Sequence, residues 1–443
     1  MTKQGFDVIV IGARVAGAAT AMLLARAGMR VLAVDRARFP SDTLSTHQVQ
    51  VPGVARLNRW GLLDRLVAAG TPPTRRVRFD AGHVVLDGCF PCHDGVDALY
   101  SPRRTLLDFI LVDAARAAGA EVREGIPVDE LVWVRGRVAG IRSHQRGGRP
   151  ITETARLVVG ADGKRSMVAA SVAAHSYRQR PTSTLACYTY WSGVPIDAGE
   201  LYQRPGRAVA AFPTNDDLTM IYVAAPLTEF AAFRTDVEGR YLKAVDGCGD
   251  LGDRVREGER AERFRTTPDL PNAFRLPYGP GWALVGDAGL IMDPITAQGI
   301  GNALHGAETL AEAITAGLDG TRPLHEALAD YQRRRDVALG PMYDFTTDLA
   351  AFNPPRVADR QMLASLRGRQ AEIDRFLGVF AGTTPIRQFR SPRNLLRLVG
   401  VHGLAKIAAG TLGGARSSST TGRGGRSVSQ HRRSAAGIGG SGR

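Results

Sequence analysis

Residues 6–35 show the pattern of a strand, a tight turn, a helix and a second strand. The apolar run FDVIVI at 6–11 is typical of a parallel strand buried on both faces. The turn GARVAG at 12–17 follows, and small and apolar residues at helical spacing after it predict a helix that packs on a sheet. The second strand, RVLAVD at 30–35, ends in Asp35, at the spacing that brings a carboxylate to a ribose 2′-hydroxyl. The stretch therefore predicts a Rossmann-like unit that binds a dinucleotide.

The turn departs from the usual G-x-G-x-x-G spacing at one position. Gly12 permits the tight turn and Gly17 lets the helix pack closely on the strand, but Arg14 replaces the middle glycine. Its guanidinium could lie beside the phosphates and add to the helix dipole there. The alternative is a helix-capping turn in an unrelated βαβ unit. Asp35 favours FAD or NAD, which have a free 2′-hydroxyl, over NADP.

Two more strand-to-turn signals lie far along the chain. The strand-like RLVVG at 156–160 runs into Ala161-Asp162-Gly163, and GWALV at 281–285 runs into Gly286-Asp287-Ala288. A loop that contains Pro294 then leads to a glycine-rich helix start at 298–301. A single strand-end turn is common in α/β proteins, so these signals gain meaning only together.

The three turns, in this order and spacing, resemble those of FAD-dependent monooxygenases of the para-hydroxybenzoate hydroxylase type and their geranylgeranyl-reductase-like relatives. The resemblance covers roughly residues 6–350. It implies that GARVAG and Asp35 bind the ADP half of FAD, and that Gly286-Asp287 binds the ribityl chain. Asp162-Gly163 would lie between the flavin and nicotinamide routes.

The resemblance also implies further FAD contacts. Family members carry an arginine near the start of the helix predicted in 101–125; Arg104, four residues before Asp108, matches it best, and Arg103 is the second choice. Backbone N–H groups after Gln298 would face a phosphate or the flavin edge. The predicted FAD contacts are Gly12, Ala13, Arg14, Ala16, Gly17, Asp35, Arg36, Arg104, Val128, Asp162, Gly286, Asp287, Ala288, Gln298, Gly299, Ile300 and Gly301.

Segments 72–102 and 176–280 are rich in β-branched and aromatic residues with turn punctuation, which predicts a mixed sheet inserted between the nucleotide motifs. The resemblance implies that this sheet closes a substrate pocket over the flavin. Aromatic residues at such positions more often pack within a sheet than bind a ligand. An apolar pocket there would suit an aromatic or polyketide-like substrate. The predicted pocket residues are Tyr188, Tyr190, Phe212, Tyr222 and Pro294.

The polar loop FPSDTLSTHQVQVPGV at 39–54 is expected beneath the flavin ring. His47 in this loop is the candidate catalytic residue, which would orient the substrate or assist proton transfer. A structural hydrogen bond is the alternative role for the same side chain.

The activity implied by the resemblance is that of a monooxygenase. NAD(P)H would bind transiently and reduce FAD, and O₂ would then give a flavin C4a-hydroperoxide that transfers one oxygen atom to a hydrophobic substrate. The alternative is an FAD-dependent reductase of isoprenoid double bonds, but those relatives carry a basic-Cys-Gly segment where this chain has SDTLSTH at 41–47. Flavin halogenases carry a Trp-x-Trp-x-Ile-Pro segment, which is absent here. A non-enzymatic binding protein with structural FAD is a further possibility.

The net charge of +14 does not predict a nucleic-acid-binding face. No acidic residue follows Asp374, and twelve lysines and arginines do, so the positive charge belongs to the C-terminal segment. Residues 412–443 form a Gly/Ser/Arg-rich tail too poor in apolar residues to fold, with at most weak membrane-surface contact. No run reaches the length of a transmembrane helix and no signal peptide begins the chain, so a cytoplasmic protein is expected.

Cysteine spacing adds no metal site to these expectations. Cys89 and Cys92 form a C-x-x-C-H pattern, but the companions that haem, zinc or redox function would need are missing.

The expected architecture is an α/β fold with a Rossmann-like FAD-binding domain, an inserted mixed β-sheet substrate domain and C-terminal helices. The FAD-binding domain is expected to be discontinuous and the tail disordered. The predicted boundaries are 1–72, 101–175 and 276–350 for the FAD-binding domain, 73–100 and 176–275 for the sheet domain, 351–411 for the helical segment and 412–443 for the tail.

Overall fold

The computed structural model describes residues 5–144, 148–401 and 403. The helices are α1 (Val15–Arg26), α2 (Val51–Arg59), α3 (Leu63–Ala68), α4 (Arg104–Ala117), α5 (Met167–Ser171), α6 (Phe230–Thr235), α7 (Val237–Asp246), α8 (Leu251–Glu257), α9 (Gly299–Leu318), α10 (Leu324–Ala350), α11 (Val357–Ser365), α12 (Gln370–Ala381) and α13 (Ile386–Phe389). Residues 392–401 are helical as well. The predicted tail at 412–443 lies outside the described residues.

The strands form two large sheets and two small ones. They are β1 (Phe6–Ile11), β2 (Val31–Asp35), β3 (Pro73–Thr74), β4 (Arg76–Asp80), β5 (Val85–Cys89), β6 (Leu99–Tyr100), β7 (Glu121–Glu124), β8 (Val128–Val134), β9 (Arg137–His144), β10 (Pro150–Gly160), β11 (Ser176–Arg180), β12 (Thr184–Ser192), β13 (Gly199–Arg204), β14 (Arg207–Pro213), β15 (Thr219–Pro226), β16 (Glu259–Arg260), β17 (Arg265–Thr267), β18 (Asn272–Arg275), β19 (Tyr278–Gly279), β20 (Trp282–Leu284) and β21 (Leu290–Ile291).

The first large sheet has the strand order β19-β20-β10-β1-β2-β7, and β8 and β9 extend from β10. Strands β20, β10, β1, β2 and β7 are parallel, and β1 lies between β2 and β10. Residues of β1 and β2 are almost all buried because helices and further strands cover both faces of the sheet. Strands β10 and β2 pair with opposite edges of β1. The carboxyl ends of these strands therefore form a crevice of the kind in which parallel sheets bind ligands.

The second large sheet has the order β16-β12-β15-β14-β13-β4-β5, with β17 also paired to β12. This sheet is mixed, because β13 runs parallel to β4 whereas the other long strand pairs of the sheet are antiparallel. Almost every residue of β12 and β15 is buried, so elements cover both faces of these two strands. The α/β fold class with a Rossmann-like sheet and a second mixed sheet is thus confirmed, whereas the domain boundaries stay predictions.

In the part of the chain that the structure describes, no helix is both long and apolar enough to cross a membrane. Cys89 and Cys92 are exposed free thiols at the end of β5 and in the loop after it. The described side chains form no group of His, Cys, Asp or Glu arranged to hold a metal ion.

Candidate cofactor-binding and active site

The three predicted turns meet at the carboxyl ends of β1, β10 and β20. The amide of Ala161 donates to the carbonyl of Ile11 at 2.7 Å, and the amide of Val285 donates to that of Gly160 at 2.9 Å. These bonds align the three chain segments side by side. The turn at 12–17, the turn at 161–163 and the turn at 286–288 therefore form one continuous surface.

Close backbone approach explains the glycines of these turns. A Cβ on Gly17 would lie 1.7 Å from the carbonyl oxygen of Gly12, and one on Gly12 would lie 2.4 Å from that of Ala161. Gly286 has φ +61° and its Cβ would lie 2.7 Å from the Cβ of Ala16. A side chain at any of the three would push the turns apart.

Two helices, α1 and α9, begin at this surface. The N–H groups of Val15, Ala16 and Gly17 in α1 have no acceptor among the described residues, nor do those of Gly299, Ile300 and Gly301 in α9. A Cβ on Gly299 or Gly301 would meet no protein atom of the described chain within 4 Å. Helix N-termini attract anions because their free N–H groups and the helix dipole carry partial positive charge. The space in front of both helices can thus receive phosphate and other polar groups.

Asp35 stabilises the first turn and can still accept further hydrogen bonds. Its buried carboxylate accepts from the amides of Ala13 and Ala37, each at 2.7 Å. A carboxylate has about four lone-pair sites, so two remain for ribose hydroxyls. The segment that leads to Val128 lies beside it, because the amide of Ile126 donates to the carbonyl of Asp35 at 2.8 Å. Arg36 is exposed.

A buried carboxylate holds two arginines at the site. Asp108, fully buried on α4, accepts from Nε and Nη2 of Arg104 at 3.0 and 2.9 Å and from Nη1 of Arg14 at 2.6 Å. Burial raises the pKa of Asp108, while Arg104 and then Arg14 oppose this shift. With two cations on one anion, the cluster carries excess positive charge. It suits a phosphate-containing ligand better than a cation.

Asp287 lies in the same crevice. Asp287 is exposed to the open crevice, and desolvation by the surrounding protein raises the pKa of its carboxyl, opposed first by Arg104. A small cavity of about 20 Å³ is lined by Gly286, Asp287 and residues of α9. Ala288 is buried and its carbonyl accepts from Nη1 of Arg275 at 2.9 Å.

Two predicted contact residues direct their side chains into the protein. The carboxylate of Asp162 accepts from the hydroxyl of Ser166 at 2.6 Å and from the amide of Val168 at 3.1 Å, so it stabilises the start of α5. The Nε2 of Gln298 donates to the carbonyls of Thr296 and Phe380 at 3.0 and 2.8 Å. A cofactor contact from Asp162 or Gln298 would therefore come from the backbone.

The four aromatic residues of the predicted pocket share one face of the second sheet. Tyr188 and Tyr222 are cross-strand partners on β12 and β15, and the rings of Tyr188 and Tyr190 lie 6.0 Å apart, edge to face. Phe212 on β14 belongs to the same buried cluster. Pro294 is half-buried, and its neighbour Ile295 packs against this cluster. The structure thus brings the four aromatic residues together in one buried cluster, and Pro294 adjoins a residue that packs against it.

His47 lies between the aromatic face and the nucleotide turns. It is fully buried, has φ +59°, and its Nε2 is hydrogen-bonded to the hydroxyl of Tyr190, whereas Nδ1 has no partner among the described residues. Burial, followed by the charges of Arg104, Arg103 and Arg265, lowers the pKa of His47 well below its usual value. The imidazole is therefore neutral near pH 7.

Sequence reasoning missed Arg265 and the anchoring role of Asp108, and it named Arg103 only as the second choice for an FAD contact. Arg103 lies 4.0 Å over the ring of Tyr190 and pairs with Glu262. Arg265 pairs with Asp42 at 2.6 Å. The i,i+4 spacing of Arg104 and Asp108 on a helix was a usable signal. No local pattern marks Arg265, because its partner lies far away along the chain.

These residues fit a bound FAD. Two helix starts with free N–H groups can take the pyrophosphate and the flavin edge, and Asp35 and Asp287 can accept from ribose and ribityl hydroxyls. The empty space above Gly299 and Gly301 gives the cofactor room to approach the backbone.

The chain belongs to a family of FAD-binding proteins. The family model described as "FAD binding domain" matches residues 5–244, more than half of the chain. The protein is accordingly an FAD-dependent oxidoreductase of this FAD-binding family, with FAD as its cofactor.

Curated relatives include enzymes of two kinds. A tryptophan 2-halogenase of Chondromyces crocatus is 25% identical over 341 residues, which cover 74% of this chain and 64% of the halogenase. The chain thus spans less than two thirds of that relative. A digeranylgeranylglycerophospholipid reductase of Methanothrix thermoacetophila is 26% identical over 371 residues, covering 78% of this chain and 87% of the reductase.

Solved structures share the fold. The myxobacterial chondrochloren halogenase CndH superposes with a TM-score of 0.72 at 22% identity, covering 91% of this chain and 97% of its own. PqsL of Pseudomonas aeruginosa, described as "a probable FAD-dependent monooxygenase", gives a TM-score of 0.67 at 22% identity in its complex with 2-aminobenzoylacetate, with coverages of 86% and 99%. At such identities the likeness shows the fold alone.

Proposed function

We propose that this protein is an NAD(P)H-dependent FAD monooxygenase that inserts one oxygen atom of O₂ into a hydrophobic or aromatic small molecule. One observation carries the proposal: segment 41–47 joins the cofactor turn to the buried aromatic face. Arg14 of the turn contacts Ser41, and His47 at the other end contacts Tyr190. A flavin bound at the turns would thus lie next to an enclosed aromatic surface. The cytoplasmic location stays a prediction.

In this proposal FAD supplies the electron transfer and the oxygen activation, and the chain supplies binding, orientation and exclusion of water. Asp287 and the start of α9 hold the flavin end of the cofactor. Tyr190 keeps its proton because burial raises the pKa of its phenol, and in the His47 tautomer with an unprotonated Nε2 this hydroxyl donates to that nitrogen. The remaining proton of His47 is then on Nδ1, where it can donate to a polar group of the substrate.

The second candidate is a reductase that acts on isoprenoid double bonds. It is supported by the digeranylgeranylglycerophospholipid reductase, since the match covers 87% of that relative. The polar segment SDTLSTH at 41–47 argues against it, since it replaces the basic-Cys-Gly segment of such reductases. Oxygen consumption separates the two, because a reductase adds hydrogen to its product and needs no O₂.

The test is an assay of the purified holoprotein with NADH or NADPH, a panel of aromatic compounds, and chloride or bromide. We expect a yellow protein whose oxygen uptake rises with an accepted compound, and a product that gains one oxygen atom by mass spectrometry. Asp287→Ala should lose FAD, while Asp319→Ala, at an exposed turn after α9, should retain it. A halogenated product or a product that gains only hydrogen would overturn the proposal, as would a colourless protein that takes up no FAD.

A further inference from the structure

Two departures from the expected sequence pattern meet in space. Arg14 stands where a glycine is usual, and the polar segment 41–47 stands where a basic-Cys-Gly segment is usual in the reductases. In the structure, Nη1 of Arg14 donates to the carbonyl of Ser41 at 3.2 Å. Its Nη2 donates to the hydroxyl of Ser41 at 3.0 Å and to the carbonyl of Asp42 at 3.3 Å. Each departure thus supplies the partner of the other.

The contacts of Arg14 occupy its terminal nitrogens. Besides those to segment 41–47, Nη1 donates to Oδ2 of Asp108 at 2.6 Å. A guanidinium has five N–H donors, and these four acceptors match all four on Nη1 and Nη2, which leaves only Nε–H. Arg14 therefore has no two-pronged donor to present to a phosphate, which was the role expected from the sequence.

Other contacts fix segment 41–47 to the second sheet. Oδ2 of Asp42 pairs with Arg265 at 2.6 Å. The amide of Ser45 donates to the hydroxyl of Tyr188 at 3.2 Å, and His47 is bonded to Tyr190. The segment is consequently tied to the cofactor turn at one end and to the aromatic face at the other.

We propose that Arg14 is a positioning residue that locks segment 41–47 against the cofactor turn and thereby keeps His47 on Tyr190. This role rests on the proposed function, in which His47 faces the substrate. The fully buried Asp108 is the fixed anchor, because it is also held by Arg104 from the same helix. Because Arg14 bonds to both Asp108 and Ser41, it fixes segment 41–47 relative to this helix.

The test compares Arg14→Gly with wild type in the FAD-loaded, full-length protein. We expect FAD affinity to stay within about threefold, because glycine is the usual residue of this turn. We expect hydrogen exchange of the Ser45 and His47 amides to accelerate by about tenfold or more, because the segment opens more often when Arg14 no longer holds it. Both amides are suitable reporters, since they are bonded to Tyr188 and to the hydroxyl of Ser45.

Ser41→Ala is the second variant, because it removes one acceptor of Arg14 and leaves the turn intact. It should give a smaller acceleration at the same amides. Arg26→Ala, on the far end of α1, is the control and should change neither quantity. A large loss of FAD affinity in Arg14→Gly with unchanged exchange would show a phosphate contact and overturn the proposal. Unchanged exchange in both variants would overturn it as well. Because exchange needs no turnover, the proposed oxygenation can fail without affecting this result.

Discussion

At the scale of single residues, the glycines of the site are of two kinds. Gly17 and Gly286 are required by the protein itself, since a Cβ would strike Gly12 or Ala16. Gly301 differs, because a Cβ there would meet no described protein atom within 4 Å. The folded chain therefore does not explain why Gly301 lacks a side chain, whereas the predicted approach of FAD to this helix start would explain it.

Gly301→Ala should separate folding from cofactor binding. In a helix, alanine is favoured over glycine by up to about 1 kcal/mol, so the apoprotein should unfold at the same or a higher temperature than wild type. FAD affinity should fall by about tenfold or more, because the new methyl group fills space needed for close approach. Thermal unfolding of the apoprotein and fluorescence titration with FAD measure both.

Gly17→Ala is the contrasting variant, and we expect it to destabilise the apoprotein as well. If Gly301→Ala bound FAD as tightly as wild type, the start of α9 would not be a cofactor contact.

The residues that the sequence could predict are those with a local signature. Gly12, Gly17 and Asp35 belong to one short motif, and its spacing was enough to place them at a nucleotide crevice. The partners of Arg14 could not be predicted, because Ser41 and Asp108 lie 27 and 94 positions away in the chain. Only the fold brings such distant side chains to one guanidinium.

At the scale of elements, α2 is joined to α9 by a cluster of charged and polar side chains. Nε of Arg56 pairs with Glu308 at 2.9 Å, and Nη2 of Arg56 is bonded to Nδ1 of His305 at 2.9 Å. Arg59 pairs with Glu308 at 2.6 Å. Burial, and then the charge of Arg56, lowers the pKa of His305 to about 4. Acid should therefore weaken the packing of the two helices.

The sign of this effect follows from proton binding. An unfolded histidine has a pKa of about 6.5. Between pH 6.5 and 4 this histidine is therefore protonated in the unfolded chain, whereas folded His305 stays neutral. Stability is lost as the pH falls through this window. Wild type should lose about 2 kcal/mol more unfolding free energy than His305→Gln between pH 7.5 and pH 5.

Urea unfolding of both proteins at the two pH values measures this difference, and other titrating groups cancel in the comparison. A parallel loss in the two proteins would contradict the low pKa of His305.

Element boundaries show where sequence periodicity stops being informative. A helix face was evident from residue 18 onward, yet α1 begins at Val15. Residues 15–17 contribute backbone N–H groups to the site, and a pattern of side chains does not report that role. The same holds for Gly299 to Gly301 in α9, where only comparison with known flavin turns drew attention to the backbone.

At the scale of the whole molecule, an aromatic cluster joins the second sheet to the C-terminal helices. The ring of Phe376 on α12 lies 5.2 Å from Phe79 on β4, 5.5 Å from Phe380 and 5.9 Å from Phe389. The carbonyl of Phe380 accepts from the side chain of Gln298, next to the start of α9. The C-terminal helices thus support the cofactor site as well as the sheet. No motif predicted this contact, because hydrophobic packing leaves no fixed spacing in the sequence.

Phe376→Ala should consequently weaken both the fold and the cofactor site. Phe376 is only 6% exposed, and truncating a buried phenylalanine costs about 3–5 kcal/mol of unfolding free energy. FAD affinity should fall too, since Phe380 would lose a ring partner and shift the carbonyl that holds Gln298. Phe109→Ala is the matched control, because Phe109 is 40% exposed on α4 and should cost far less. Denaturant unfolding and FAD titration of the two variants provide the measurement. Equal losses in both variants, or a destabilised Phe376→Ala that binds FAD as wild type does, would show that the C-terminal helices do not support the site.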